Sequence, residues 1–265
     1  MRRRGPGDMQ LSYDQKRFLY EQGYLLVPGV APRVMVDAAL RLINHSVGQG
    51  MEPERMVVFR TLSFCPEVQQ HPAIVGLLRD TPGWSLAESA VGAGKLRPVT
   101  AAQIALRFPS LQDPPPALRP HLDGMHAPHN GVPEGEIRNF TLLAAILLSD
   151  LPGPSCGNFT VWPGTHRLFE RYFREHGPQA LLHGMPPVEM PEPLQITGRA
   201  GDLVLAHYET AHTAATNTSP HVRYACFFRL THVEHEARKW ECMTDIWLEW
   251  EGMAAFRAAA GVGAC

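Results

Sequence analysis

The sequence predicts a mainly β domain with flanking helices, built as helices packed against an antiparallel sandwich or barrel. Three observations carry this reading. The first ninety or so residues show helical apolar spacing with cap signals. From about residue 102 onward the apolar residues fall in short or alternating runs, divided by turn residues. No repeat and no linker separates the two parts. Residues 11–265 therefore read as one domain: a helical part over 11–95, a β core over about 100–232 and a helical C-terminal tail. The 24 prolines and 23 glycines in 265 residues favour turns and short strands over long helices.

Residues 1–10 read as a frayed tail. Leu11–Tyr20 reads as a helix, with Ser12 as N-cap, Gln15 completing a capping box and Gly23 as the stop. Tyr24–Val27 is a short buried strand ended by Pro28-Gly29. A second helix runs from about Pro32 to His45 on a wide apolar face. Residues 49–69 read as irregular, and two short helices follow near Pro72–Leu78 and Ser85–Val91. Ala102–Phe108 alternates with period two, as a half-buried strand does. Leu118–Leu122 is a further candidate strand, and 124–138 a loop. Phe140–Leu148 is almost wholly apolar, which predicts a strand covered on both faces. Asn158–Trp162, Leu203–His207, Ala211–Thr216 and Val222–Leu230 complete the strands. Leu168–His176 and the tail from Glu234 to Gly261 read as helical.

Composition narrows the function classes. Apolar residues make up 45% and charged residues 19%, enough apolar mass for a sizeable core. Twenty-four Lys+Arg against 26 Asp+Glu leave a charge of −2, which gives no pull toward nucleic acid or an anionic membrane. The longest apolar run, Leu142–Leu148, is far short of the roughly 20 residues that span a bilayer. The cysteines (Cys65, Cys156, Cys226, Cys242 and Cys265) are odd in number and widely spaced. A disulfide framework is not expected, and a reducing compartment is. The basic start, Arg2-Arg3-Arg4, is followed by no apolar segment, so a signal peptide is not expected and a cytoplasmic location is.

The most informative tripeptide is His121-Leu122-Asp123. On a strand, residues i and i+2 share a face, so imidazole and carboxylate project side by side. These are two legs of the 2-His-1-carboxylate triad that holds non-haem iron with open positions. The segment Gly201–His212 offers two candidates for the third leg, His207 and His212. Asn217-Thr218-Ser219-Pro220 then signals a turn. A turn centred on 218–219 places Ala214 opposite Arg223, which puts Arg223 on the side of His212; a one-residue slip would reverse this. A guanidinium one layer below a metal suits a cosubstrate with a carboxylate at one end and a chelating group at the other. The molecule with those features is 2-oxoglutarate.

With these residues in place, the chain resembles the phytanoyl-CoA dioxygenase family of Fe(II)/2-oxoglutarate-dependent oxygenases. The likeness runs through Leu11–Val30, His71–Leu78, His121-Leu122-Asp123-Gly124, Leu147–Asp150 with Gly157–His166, and Gly201-Asp202 with His212, Asn217, Ser219 and Arg223. The resemblance implies a double-stranded β-helix, a jelly-roll or cupin-like core. It implies His121, Asp123 and His212 as iron ligands, and Arg223 as the anchor of the 2-oxoglutarate C5 carboxylate. It gives Fe(II) as the metal and 2-oxoglutarate and O2 as cosubstrates, with succinate and CO2 released as a small molecule is oxidised. Gln103 matches a position that often contacts cosubstrate or substrate. The family often has a hydroxyl residue two positions after the distal histidine; here that position is Ala214, and Thr141 is expected to supply the contact instead. Asp123 argues for hydroxylation or a related oxidation (desaturation, epoxidation or cyclisation), because halogenases that resemble this family carry Gly or Ala there.

Arg107, Arg138 and His126 are candidate substrate contacts near the expected mouth of the barrel. His129 and His166 read as ordinary loop and helix-start residues. The rival reading is a cupin-like metalloprotein with a hydrolase, isomerase or binding function, since the same ligands could hold zinc. Arg223 separates the two, because hydrolysis needs no carboxylate anchor.

Overall fold

The structure, a computed structural model, describes residues 9–262. The expected tail lies outside them up to Asp8. The elements follow in order as α1 (Tyr13–Gln22), β1 (Tyr24–Val27), α2 (Arg33–Gly48), α3 (Met56–Thr61), α4 (Pro72–Arg79), α5 (Pro82–Val91), β2 (Gln103–Arg107), β3 (Leu142–Leu147), β4 (Phe159–Val161), α6 (Thr165–His176), β5 (Leu194–Gln195), β6 (Leu203–His207), β7 (His212–Ala214), β8 (Arg223–Leu230), α7 (His235–Arg238) and α8 (Ala254–Val262).

Local chemistry explains the early boundaries. The Ser12 hydroxyl accepts from the Gln15 amide while the Gln15 side chain accepts from the Ser12 amide, so two orphan donors of α1 are satisfied. Gly23 ends the helix at φ 78°, a conformation that a side chain disfavours. Helix α5 starts earlier than the apolar spacing suggests, because Thr81 caps it and Pro82 occupies its first turn. The segment 49–69 is not wholly irregular: α3 forms within it.

The strands make two sheets. The larger has the order β1-β6-β3-β8-β2, and the smaller has the order β5-β4-β7. All pairings are antiparallel. Strand β3, central in the larger sheet, is buried along its whole length. Its even residues Leu142, Ala144 and Ile146 pack toward the helices with Leu203 and Leu205 of β6. Leu143 and Ala145 turn inward with Val204, Ala206 and the Phe159 and Val161 side chains of β4. One apolar layer therefore joins helices to sheet and a second fills the space between sheets, the arrangement of a jelly roll.

One register expectation is overturned. Strands β7 and β8 do not pair. Ala214 lies opposite Phe159 of β4, and Arg223 lies opposite Arg107 of β2. The turn at 217–221 crosses between sheets instead of closing a hairpin. Asn217 fixes that crossing, donating to the carbonyls of Arg107 (2.8 Å) and His221 (2.7 Å). The candidate strand 118–122 shrinks to a single bridge at His121. The C-terminal tail is broken into turns between α7 and α8, with Trp250 fully buried.

Candidate metal centre and its cavity

His121 and His212 face each other across an antiparallel bridge, and each amide donates to the other's carbonyl (3.0 and 3.1 Å). The H-x-D segment thus extends the smaller sheet beside β7. The imidazoles lie 4.6 Å apart by ring centroid. Asp123 follows in a turn, and its Oδ1 reaches both Nε2 atoms, at 3.6 Å from His121 and 3.5 Å from His212. Adjacent ligands of a metal bound at about 2.1 Å lie roughly 3 Å apart, so a divalent ion fits among these atoms with small movements. The three donors converge although 91 positions separate His121 from His212. His212 is oriented from behind, because its Nδ1 bonds the Thr210 carbonyl at 2.9 Å and leaves Nε2 free. Gly124 lets the loop close, since a side chain there would collide with the Arg138 carbonyl.

The carboxylate divides its two oxygens. Oδ2 accepts from Arg229 Nε at 3.0 Å and Nη2 at 2.9 Å. Burial opposes ionisation of Asp123. The Arg229 charge and the hydrogen bonds with both histidines outweigh it and hold the carboxyl well below its usual range. Arg229 also donates from Nη1 to Gln103 Oε1 (2.9 Å), and Gln103 Nε2 donates to the Thr61 carbonyl (3.3 Å). Arg229 is the residue that sequence reading missed. Its signal was parity: residues 223, 225, 227 and 229 share one face of β8.

These groups open into a cavity of about 560 Å3 between the sheets. Arg223 is buried in its wall, 3% exposed, with Nε on the Gly157 carbonyl (2.7 Å) and Nη1 on the Ala105 carbonyl (3.1 Å). Burial and then the neighbouring Arg107 charge lower its pKa to about 9. An anion in the cavity would restore it. Gly157 passes close to both arginines, and a Cβ there would press on their side chains at 2.9 and 3.1 Å.

Gln103, Arg107, Arg138 and His126 all line the cavity. Thr141 does not. The chain bends ahead of β3, so Phe140 turns inward against Tyr208 while the Thr141 hydroxyl donates to Glu249 (2.5 Å) and accepts from the His232 amide (2.9 Å). Thr213 and Ala214 are the lining residues beside His212. His207 lies on the helix side of β6, with Nε2 on the Ile246 carbonyl (2.8 Å) and its ring stacked on Trp250. It is not near the triad in chemistry or in direction. His166 packs beside it, 5.6 Å away.

The sequence matches the phytanoyl-CoA dioxygenase family over residues 19–225. The chain belongs to this family. No curated protein matches it. Among solved structures, it is similar to the non-haem α-ketoglutarate-dependent carbocyclase SnoK from nogalamycin biosynthesis, at 25% identity and TM-score 0.55 over 83% of each chain. It shares its fold with HygX from Streptomyces hygroscopicus, solved with nickel and 2-oxoglutarate, at 19% identity and TM-score 0.56 over 85% of this chain and 88% of that one. EctD from S. alaskensis, with 2-oxoglutarate and 5-hydroxyectoine, aligns at 16% identity and TM-score 0.54 over 84% and 77%. Family and fold make this protein an enzyme of the Fe/2-oxoglutarate oxygenase type. Among the described residues, no helix is long and apolar enough to cross a membrane.

Proposed function

We propose that this protein is a hydroxylase of the Fe(II)/2-oxoglutarate-dependent class, acting on a small molecule in the cytoplasm. The observation that carries the reading is one cavity holding a His-Asp-His donor set and a buried arginine that has no carboxylate partner among the described residues. His121, Asp123 and His212 would hold the iron. When bound, iron and 2-oxoglutarate supply the oxidation, one oxygen atom of O2 going to the substrate and the other to succinate as CO2 leaves.

The protein's residues do the rest. Arg223 takes the far carboxylate of the cosubstrate, and its two backbone bonds fix the guanidinium before any ligand arrives. Asp123 stays ionised under Arg229 and presents one oxygen to the metal. Phe159 and Phe227, in edge contact at 5.4 Å, form an apolar wall that keeps water from the reacting face. The presence of Asp123, in place of a small residue, favours transfer of oxygen over transfer of halide. A hydrolytic zinc site has no use for Arg223.

The test is anaerobic. Fe(II) and 2-oxoglutarate added together should give a visible charge-transfer band, and air should then release succinate. Metal binding without that band, in a protein that cleaves esters, would favour the hydrolytic rival. Succinate release with a desaturated or cyclised product would keep the class and correct the reaction type.

A further inference from the structure

Five arginines line the cavity (Arg60, Arg107, Arg138, Arg223 and Arg229) against one acidic side chain, Asp123. The whole chain carries −2, so this cationic excess is particular to the site. Three of the five have a counter-charge. Arg229 is bound to Asp123. Arg138 lies 3.6 Å from Glu136. Arg223 faces the cosubstrate carboxylate in the function proposed above. Arg60 and Arg107 make no ion pair among the described residues, and Nη1 of Arg107 bonds only the Leu106 carbonyl, at 3.3 Å.

The segments that carry them are joined, with Arg107 half-buried and Arg60 at the exposed mouth. Gln103 at the start of β2 bonds the carbonyl of Thr61, next to Arg60, so the end of α3 is fastened to the strand that carries Arg107. Burial, and then the Arg60 charge, lowers the pKa of Arg107. Two uncompensated cations on one cavity repel each other, and the arrangement persists at least cost when an anion enters. A ferrous ion and a doubly charged cosubstrate together add no net charge to the cavity, so loading the site does not remove the surplus.

We infer that Arg60 and Arg107 receive an oxyanion group of the prime substrate, a carboxylate or a phosphate ester, so that the enzyme acts on anionic small molecules. The planar guanidinium fork suits both groups. Leu62, Val132, Leu143 and Phe227 in the same lining suit an apolar body attached to that group. A cavity of about 560 Å3 has the size of a small-molecule site. The inference rests on the proposed function for the role of Arg223 and for the charges of the loaded site.

The experiment is a calorimetric titration of the full chain, loaded with Ni(II) and 2-oxoglutarate, at low ionic strength. The probes are inorganic phosphate and benzoate, which distinguish the two oxyanions. At least one should bind saturably with Kd of about 10 mM or tighter. Arg60→Ala should weaken it roughly tenfold or more, and Arg60→Lys less, since a charge remains without the fork. Arg17→Ala, at an exposed arginine paired with Asp14, should change nothing. Failure of both probes to bind, or equal binding in Arg60→Ala, overturns the inference. If Ni(II) and 2-oxoglutarate themselves do not bind, the iron/2-oxoglutarate reading fails, and the same titration on unloaded protein still decides the role of the two arginines.

Discussion

Arg229 grips one oxygen of Asp123 from two nitrogens, at 2.9 and 3.0 Å, and leaves the other oxygen to the two histidines. This division makes Arg229 a positioning residue. Removing it frees the carboxylate to rotate and withdraws the charge that keeps it ionised. Loss of such an outer partner typically costs about 10- to 100-fold in metal affinity. Arg229→Ala should weaken Fe(II) or Mn(II) binding by that order while the circular dichroism stays that of the parent. Arg229→Lys should recover part of it. Unchanged metal affinity in Arg229→Ala would remove the residue from the site's chemistry.

Arg223 should separate cosubstrate from substrate. Its buried guanidinium is already fixed by the Gly157 and Ala105 carbonyls, so little ordering is lost on binding. A charge-assisted pair to a buried carboxylate is worth on the order of 2–4 kcal/mol. Arg223→Ala should therefore raise the KM for 2-oxoglutarate by about thirtyfold or more, and the KM for the prime substrate far less. A comparable rise in both would mean that the cavity wall has collapsed, which thermal unfolding would reveal as a lowered Tm.

The two candidate third ligands have opposite surroundings. His212 turns Nε2 toward Asp123, and His207 turns toward Trp250 and the Ile246 carbonyl. His212→Ala should abolish succinate formation and leave Tm near that of the parent. His207→Ala should keep metal binding and lower stability, by about 2–4 kcal/mol for a buried ring that loses its packing and two hydrogen bonds. The reverse pattern would show that the third ligand is misassigned.

What could be read from sequence follows the range of each interaction. The cap of α1, the coverage of β3 and the H-x-D pair depend on neighbours in sequence, and period and spacing carry them. The partner of β7 was not legible. A hairpin and a crossing between sheets share the same turn residues, and long-range bonds select the crossing: Asn217 to the Arg107 carbonyl, and the Thr218 amide to the Ser155 carbonyl. Arg223 reached the cavity by a different route from the expected one, through pairing with Arg107 on the larger sheet. Thr141 failed as a cavity residue because strand parity breaks one residue before β3 begins, where Glu249 offers its hydroxyl a buried partner. Arg60 lay in a segment read as irregular, and no local pattern points from α3 into the cavity.

Acid should weaken the packing of the C-terminal segment against β6 through His207. Burial lowers its pKa from 6.5 to about 4, against smaller opposing effects from the Ile246 carbonyl and the Glu249 charge. The folded state thus holds the ring neutral while the unfolded chain protonates it at its ordinary value. Between these two values the unfolded state binds more protons, so stability rises with pH across that window and falls as pH drops through it. At pH 5 the deficit from this residue is about 2 kcal/mol, and it is absent above pH 7. Urea unfolding at pH 7.5 and pH 5 measures it. The parent should lose more stability between those pH values than His207→Gln, whose amide reaches about as far as Nε2 toward the Ile246 carbonyl and carries no titrating group. Equal losses in the two proteins would place the acid sensitivity elsewhere.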